Sequence, residues 1–325
     1  MLALNYASFV VSGWIWSHFT RIKADKIFMF EVSPMTQALL GVWYKKRRKI
    51  PCYLYVQDLW PENVEEVLGI RFAPVTWCIN RIVDRIYTAS DKILCTSQGF
   101  TQNLRSRGVA PQKLVYWPQF CPDVHLEGAR RPEIYPEDTF NIVFAGNLGD
   151  AQGLDLMVEA AKQLKGSPIR WFLVGDGRAR ARLEQKVQSC GVTKEVTFVG
   201  RVEAAEADRY VHFADCAYLS FQDNRLFNMT LPAKLQTYLA CGTPILAAAG
   251  GESAQLVGEN GIGLVCPPRL EELVETARRA AAMTDDQRRA MSQAARAFYE
   301  ANFTMDRLVT ILEQMLAEEI RKQKD

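Results

Sequence analysis

The 325-residue chain has no Cys-x-x-Cys pair and only three histidines, His18, His125 and His212, none of which follows a strand pattern. That removes the usual ligand spacing for zinc and most of the equipment of a histidine-dependent acid-base enzyme. Its eight cysteines (Cys52, Cys78, Cys95, Cys121, Cys190, Cys216, Cys241 and Cys266) stand singly in apolar segments. They read as reduced core thiols of a cytosolic protein, not as a disulfide framework. Excess charge is also missing: 39 Lys and Arg against 37 Asp and Glu leave +2. No overall field advertises a nucleic-acid partner, so any anion must be held by a local site. The apolar stretch 2–19 lacks the marks of a signal or membrane segment. Asn5, Ser8, Ser12, Ser17 and His18 interrupt it, no basic region precedes it and no small-residue cleavage site follows. A helix packed on a sheet is the expectation for it. An α/β enzyme usually begins with a strand, so opening units are expected upstream of this helical start.

What is present is ample core. At 48% hydrophobic residues the length suits about two domains. Short apolar runs at 26–34 and 50–62, "KILCTS" and "KLVYWPQF" alternate with helical patterns at 35–49, 75–90 and 98–108, the signature of βαβ units and a parallel sheet. From Cys121 to Thr139 the composition shifts to Pro, Glu, Asp and Arg, as in a linker. The rhythm then restarts with six strand candidates, "FNIVFAGNLG", "IRWFLVGDG", "EVTFVG", "DCAYLSF", "PILAAAG" and "GIGLVC". Helices are expected at 154–164, 178–190, 203–213, 232–241 and 270–283, and a long helical pair from Asp285 to the end. The reading is of two successive open α/β sheets, the first lacking its opening units. The domains are placed at 1–122, a linker at 123–138, a second domain at 139–284, and C-terminal helices at 285–325 that pack back on the first.

In such sheets ligands sit beyond the carboxyl ends of the strands. There "AGNLGDAQG" supplies Gly146 and Asn147, where backbone N–H groups approach a phosphate, although a tight strand-to-helix turn explains the glycines as well. "LVGDG" adds Gly175 and Asp176, and "FVGRV" places Arg201 just past a strand. In the loop and helix 221–242, Arg225 and Lys234 bracket a segment that ends at Pro232, a good first-turn residue. Two cations and a helix start converge on something negative, while Thr237, one turn on, can hydrogen-bond a hydroxyl. No carboxylate occurs between Asp223 and the end of that helix. Glu252 completes the candidate donor-binding set.

The order of these motifs resembles the donor domain of GT-B glycosyltransferases of family four, the type that builds bacterial capsule, colanic acid or O-antigen. "SP" at 33–34, "YVQDLWPENVEEVLGI" at 55–70, "ILCTSQGFTQNL" at 93–104 and "VYWPQF" at 115–120 resemble its acceptor domain. The resemblance implies an α/β GT-B fold, two Rossmann-like domains facing a cleft, the first incomplete. It implies retaining, metal-independent transfer of a sugar, hexosyl or N-acetylhexosaminyl, from a nucleotide diphosphate, UDP foremost, with no cofactor and no obligatory protein base. The departing phosphate takes the acceptor proton, and Gly146, Arg225 and Lys234 hold the diphosphate. Asp58, carried over by position, faces the cleft and contacts sugar or acceptor hydroxyl; a capping turn before Trp60 is the plainer reading. Glu62 caps the next helix or contacts the acceptor.

Several departures from the family pattern stand out. Met229 and Thr237 occupy positions where many members carry a pair of Glu, and Asn147 and Gln152 replace a loop Arg and Lys. These and the missing opening units motivate an alternative, a catalytically silent GT-B subunit that binds nucleotide or a partner glycosyltransferase. An epimerase lacks its histidines here, and "GNLGDAQG" lacks the dinucleotide fingerprint spacing. The implied acceptor is a glycan or a polyprenyl-diphosphate-linked sugar, at the cytoplasmic membrane face of a cytoplasmic protein. "KKRRK" (45–49) and residues 72–87 read either as an interfacial surface or as an ordinary helix end and core helix.

Overall fold

The computed structural model describes residues 2–66 and 72–322; residues 67–70 of the 55–70 motif lie outside them. The chain divides into two compact units, Met1–Pro118 and Gln119–Asp325. The first holds α1 (Leu2–Phe19), β1 (Ile27–Glu31), α2 (Leu39–Arg48), β2 (Cys52–Val56), α3 (Glu62–Glu66), α4 (Ala73–Ala89), β3 (Lys92–Cys95), α5 (Gln98–Ser106) and β4 (Leu114–Tyr116). Its strands form a parallel sheet in the order β1-β2-β3-β4, with Ile27 opposite Cys52 and Ile93 opposite Leu114. The order never reverses, so the four described strands have no topological switch point. β2 is buried throughout, as a central parallel strand requires, whereas β1 at the edge leaves Phe28 and Phe30 exposed.

The second unit holds β5 (Phe140–Ala145), α6 (Leu154–Gln163), β6 (Ile169–Val174), α7 (Arg180–Cys190), β7 (Val196–Gly200), α8 (Ala204–Phe213), β8 (Cys216–Ser220), α9 (Arg225–Asn228), α10 (Ala233–Ala240), β9 (Ile245–Ala248), α11 (Gly251–Glu259), β10 (Gly263–Cys266), α12 (Leu270–Ala281), α13 (Asp285–Asn302) and α14 (Met305–Lys322). Its parallel sheet runs β10-β9-β8-β5-β6-β7. This is the doubly wound order, and the chain reverses between β5 and β8, which is where such sheets open a ligand crevice. Trp171, Phe144 and Tyr218 fill one face beside Leu273 and Ala277 of α12; Val143, Phe172 and Leu219 fill the other.

The KKRRK run is largely tied down within the first unit. Lys45 bonds Asp91 and Ala89 O, each at 2.7 Å, while Arg47 and Arg48 donate to the Thr20 carbonyl at 2.9 and 3.1 Å. The two arginines close the C-terminal end of α1 and Lys45 that of α4, where unpaired carbonyls favour positive charge. α1 is helical as expected, but it packs chiefly on α2 and keeps Phe9, Trp14 and Phe19 exposed.

Within the second unit α13 packs on α10. Its Ala295 and Tyr299 are buried there, Tyr299 OH bonds Cys121 O at 2.9 Å, and Arg296 pairs with Asp123 at 2.7 Å. Segment 123–138 carries no helix or strand, yet it is not free of the second unit. Tyr135 is buried against Phe172, and its hydroxyl bonds Tyr210 O at 2.8 Å.

Candidate functional site

The strand ends of β5 and β6 meet backbone to backbone. Gly146 N donates to Val174 O and Leu148 N to Asp176 O, both at 2.9 Å. Gly175 has φ +130°, and a Cβ there would lie 2.0 Å from Gly146 O, so only glycine lets the two loops touch. What remains in front of them is a pocket of about 530 Å³ lined by Gly146, Asn147, Gly175, Asp176, Gly177 and Arg201. Five residues assigned from sequence, Gly146, Asn147, Gly175, Asp176 and Arg201, are thus brought to one cavity. Asp176 is turned partly inward to its own loop: its Oδ1 accepts Gly177 N at 2.7 Å.

Lys234 enters from α10. Pro232 is the N-cap of that helix, with extended backbone, not its first helical residue as the sequence suggested. The role suits proline because no N–H is required of it there. Two residues on, the Lys234 ammonium donates to Gln152 Oε1 and stands 3.9 Å over the Phe144 ring. It is also beside Gly146, where an added Cβ would lie 3.6 Å from Nζ. No carboxylate forms an ion pair with it among the described residues. Enclosure without an anion pushes its pKa down to about 7, because burial penalises the charged form.

The placement of Lys234 is held by the same helix. Tyr238 OH, one turn on, accepts Ala145 N at 3.0 Å and lies 3.2 Å from Ala145 O, pinning α10 to the end of β5. The loop that carries Gln152 is tied to the end of β8, with Ser220 Oγ on Gln152 O at 2.7 Å and Gln222 Nε2 on Asp150 O at 2.9 Å.

The remaining candidates lie elsewhere in the second unit. Arg225 is exposed at the start of α9, which Asn224 caps by accepting Phe227 N at 2.8 Å. α9 backs onto α11, whose first turn holds Glu252; a Cβ on Gly251 would lie 1.9 Å from Asn228 O. Neither residue lines the pocket. Thr237 presents its hydroxyl to Cys121 Sγ at 3.7 Å.

In the first unit Asp58 follows β2, as expected, and is held by a hydroxyl. Ser33 Oγ donates to Asp58 Oδ2 at 2.6 Å while accepting from Trp60 Nε1 at 3.2 Å and Asn63 Nδ2 at 3.3 Å. Glu31, the last residue of β1, is fully buried close by. Burial, and then the charge of Asp58, push its carboxyl up to about 9. Glu62 opens α3 and is engaged structurally, accepting Asn103 Nδ2 of α5 at 3.0 Å. Among the described residues no group of three or more His, Cys, Asp or Glu could hold a metal ion.

A pocket beyond the ends of β5, β6 and β7 of a doubly wound sheet, floored by abutting glycine loops and flanked by a lysine with no carboxylate partner among the described residues, narrows the choice of family. Residues 127–298, more than half of the chain, match the family described as glycosyl transferases group 1. The chain belongs to that family. Two curated relatives of this group 1 glycosyl transferase are the putative colanic acid biosynthesis glycosyl transferase WcaI of Escherichia coli and the probable glycosyltransferase WbjE of Pseudomonas aeruginosa. WcaI is 29% identical over 58% of this chain and 49% of its own; WbjE is 23% identical over 66% and 56%. The chain thus spans about half the length of the curated relatives it matches. Among solved structures, Anabaena Alr3699/HepE in complex with UDP aligns with TM-score 0.74 at 16% identity, over 98% of this chain and 82% of that one. Sucrose-phosphate synthase from Thermosynechococcus elongatus aligns at 0.79 and 18%, over 98% and 78%. At such identities the likeness is one of fold, and the two parallel sheets are those of GT-B structures.

Sequence reasoning about this group 1 chain passed over Tyr238, the bond from Ser33 to Asp58 and the acceptor role of Gln152. Tyr238 had a usable signal, its i+4 spacing from Lys234 on one helix. Gln152 had none, because it lies 82 positions from the lysine it holds.

Proposed function

We propose that the chain transfers a sugar from a nucleotide-diphosphate donor, a UDP-sugar, to a glycan or lipid-linked acceptor in bacterial surface polysaccharide synthesis, with retention at the anomeric carbon. The observation that carries this reading is Lys234, an enclosed cation with no carboxylate partner beside the Gly146 loop. Such a group is satisfied by an anion from outside, and the pocket lined by Arg201 and the two glycine loops has room for one. The names of WcaI and WbjE and the UDP bound to HepE support the substrate class.

In this mechanism an acceptor oxygen bonds to the anomeric carbon as the bond from that carbon to the diphosphate breaks. The electron pair leaves with the diphosphate, and the acceptor proton passes to a departing phosphate oxygen. Charge therefore builds on the phosphates, where Lys234 and Arg201 favour it most, the Gly146 N–H expected to join them being already given to Val174 O. The reading calls on no metal ion or cofactor. Arg225, expected on the diphosphate, is exposed at the start of α9 and does not line the pocket; with Glu252 of neighbouring α11 it is assigned here to the sugar end of the donor, Thr237 to the ribose, and Asp58 to the acceptor hydroxyl. The work is placed at the cytoplasmic face of the membrane. No described helix is long and apolar enough to cross a membrane, and the exposed Phe72, Val75 and Trp77 of the α4 region support peripheral contact.

Melting curves with UDP, GDP, CMP, ADP and NAD test the donor class. A ligand that binds only the folded state adds about 2.7 kcal/mol at a hundred times its Kd. Selective stabilisation by UDP supports the proposal. Stabilisation by NAD alone, or by none of the five, contradicts it.

A further inference from the structure

The Ser33 hydroxyl has one hydrogen and two accepting positions, and all three are used. The hydrogen goes to Asp58 Oδ2 at 2.6 Å, while Trp60 Nε1 and Asn63 Nδ2 donate to the oxygen at 3.2 and 3.3 Å. With both donors in place, rotating the hydroxyl away from Asp58 leaves it no better acceptor, so its direction is fixed. Trp60 is itself buried and cannot readily swing aside. On the inner side lies Glu31, a fully buried carboxyl whose neutral form burial favours. Ser33 and Asp58 stand beyond the carboxyl ends of adjacent parallel strands, β1 and β2, and Ser33 is exposed. An exposed serine with every hydrogen-bonding position committed is spending them on the orientation of its neighbour.

We propose that Ser33 is a positioning residue for Asp58: it clamps one carboxylate oxygen, backed by Trp60 and Asn63, so that the other oxygen is presented to the acceptor hydroxyl. This rests on the reading of Asp58 as the acceptor-facing carboxylate. The clamp would act on turnover, with no contact to the donor nucleotide.

The test is a double-mutant cycle read as UDP released from UDP-glucose with water as the acceptor, on the full chain. Ser33→Ala is expected to lower kcat about tenfold, less than the loss of a positioned acid-base group itself, leaving the KM for UDP-glucose unchanged. Ser33→Thr, which keeps the hydroxyl, restores kcat. Asp58→Asn costs more, and adding Ser33→Ala to it costs nothing further, because the amide, however it is held, has no carboxylate oxygen to present to the acceptor hydroxyl. If Ser33→Ala is equally damaging in both backgrounds, or threonine does not rescue, the proposal is overturned while Asp58 keeps its role. If Asp58→Asn turns over normally, or the unaltered chain releases no UDP, the reading of Asp58 fails and the clamp fails with it.

Discussion

The Lys234 ammonium stands 3.9 Å over the centre of the Phe144 ring, and Gln152 is its hydrogen-bonding partner. An aromatic face and an amide oxygen stabilise a cation only partly. With no anion beside it, the amine is held at about 7, against an ordinary 10.5.

A pH dependence of nucleotide binding follows. Diphosphate favours the protonated amine, so binding near pH 7 costs little protonation, and above that pH a proton must be taken up with the ligand. UDP affinity is expected to fall as pH rises from 7 to 9, by up to about tenfold per unit. Isothermal titration at three pH values measures it, with proton uptake read from buffers of different ionisation enthalpy. In Lys234→Met the slope disappears. For the unliganded fold the sign is opposite: the unfolded chain binds the extra proton between about pH 7 and 10.5, so stability rises with pH through that window.

Gly175→Ala tests the abutting loops. The new Cβ would lie 2.0 Å from Gly146 O at φ +130°, so either the loop pair separates or the backbone strains. A destabilisation on the order of 3 kcal/mol is expected in urea unfolding, with loss of UDP binding.

How much of this was readable before the fold was known differs by feature. The ten strands are apolar runs between turn signals, and the residues after β5, β6 and β7 that line the pocket follow from strand ends alone. α9 and α11 escaped because one is four residues long and the other opens on Gly250 and Gly251, which read as a loop. KKRRK stayed open between an interfacial surface and an ordinary helix end because the groups that engage it, Asp91 and the Thr20 carbonyl, lie far away in sequence. Lys234 announced itself by the absence of acids around it, whereas the Ser33–Asp58 contact spans 25 positions and no periodicity reports it.

Glu31→Gln reads the buried acid. Its folded-state pKa is raised to about 9 from an ordinary 4.5, first by burial and then by Asp58. Between those values the unfolded chain has released a proton that the folded chain keeps, so the contribution of Glu31 is complete below about pH 4.5 and is lost as pH rises toward 9. Glutamine removes that loss. The variant is expected to be more stable than the parent at pH 8, by a few kcal/mol as an order of magnitude, with the gap closing by pH 5. Urea unfolding at both pH values measures it.

Peripheral membrane contact makes its own prediction. Phe72 and Trp77 are 65% and 62% exposed, an unusual state for two large aromatic side chains so close in sequence. Replacing both by glutamate is expected to abolish co-sedimentation with phosphatidylglycerol vesicles at low salt and to leave UDP binding intact. Equal sedimentation of parent and variant removes this surface from the account.

The most direct test of the central claim is a comparison of UDP and uridine titrated against the parent chain and Lys234→Met. If Lys234 holds the diphosphate, the variant loses about 10- to 100-fold in UDP affinity, the 1.5–3 kcal/mol typical of a hydrogen bond to a charged group, and uridine binding does not change. Equal UDP affinity in the two proteins, or an equal loss for uridine, would show that the lysine does not grip the phosphates.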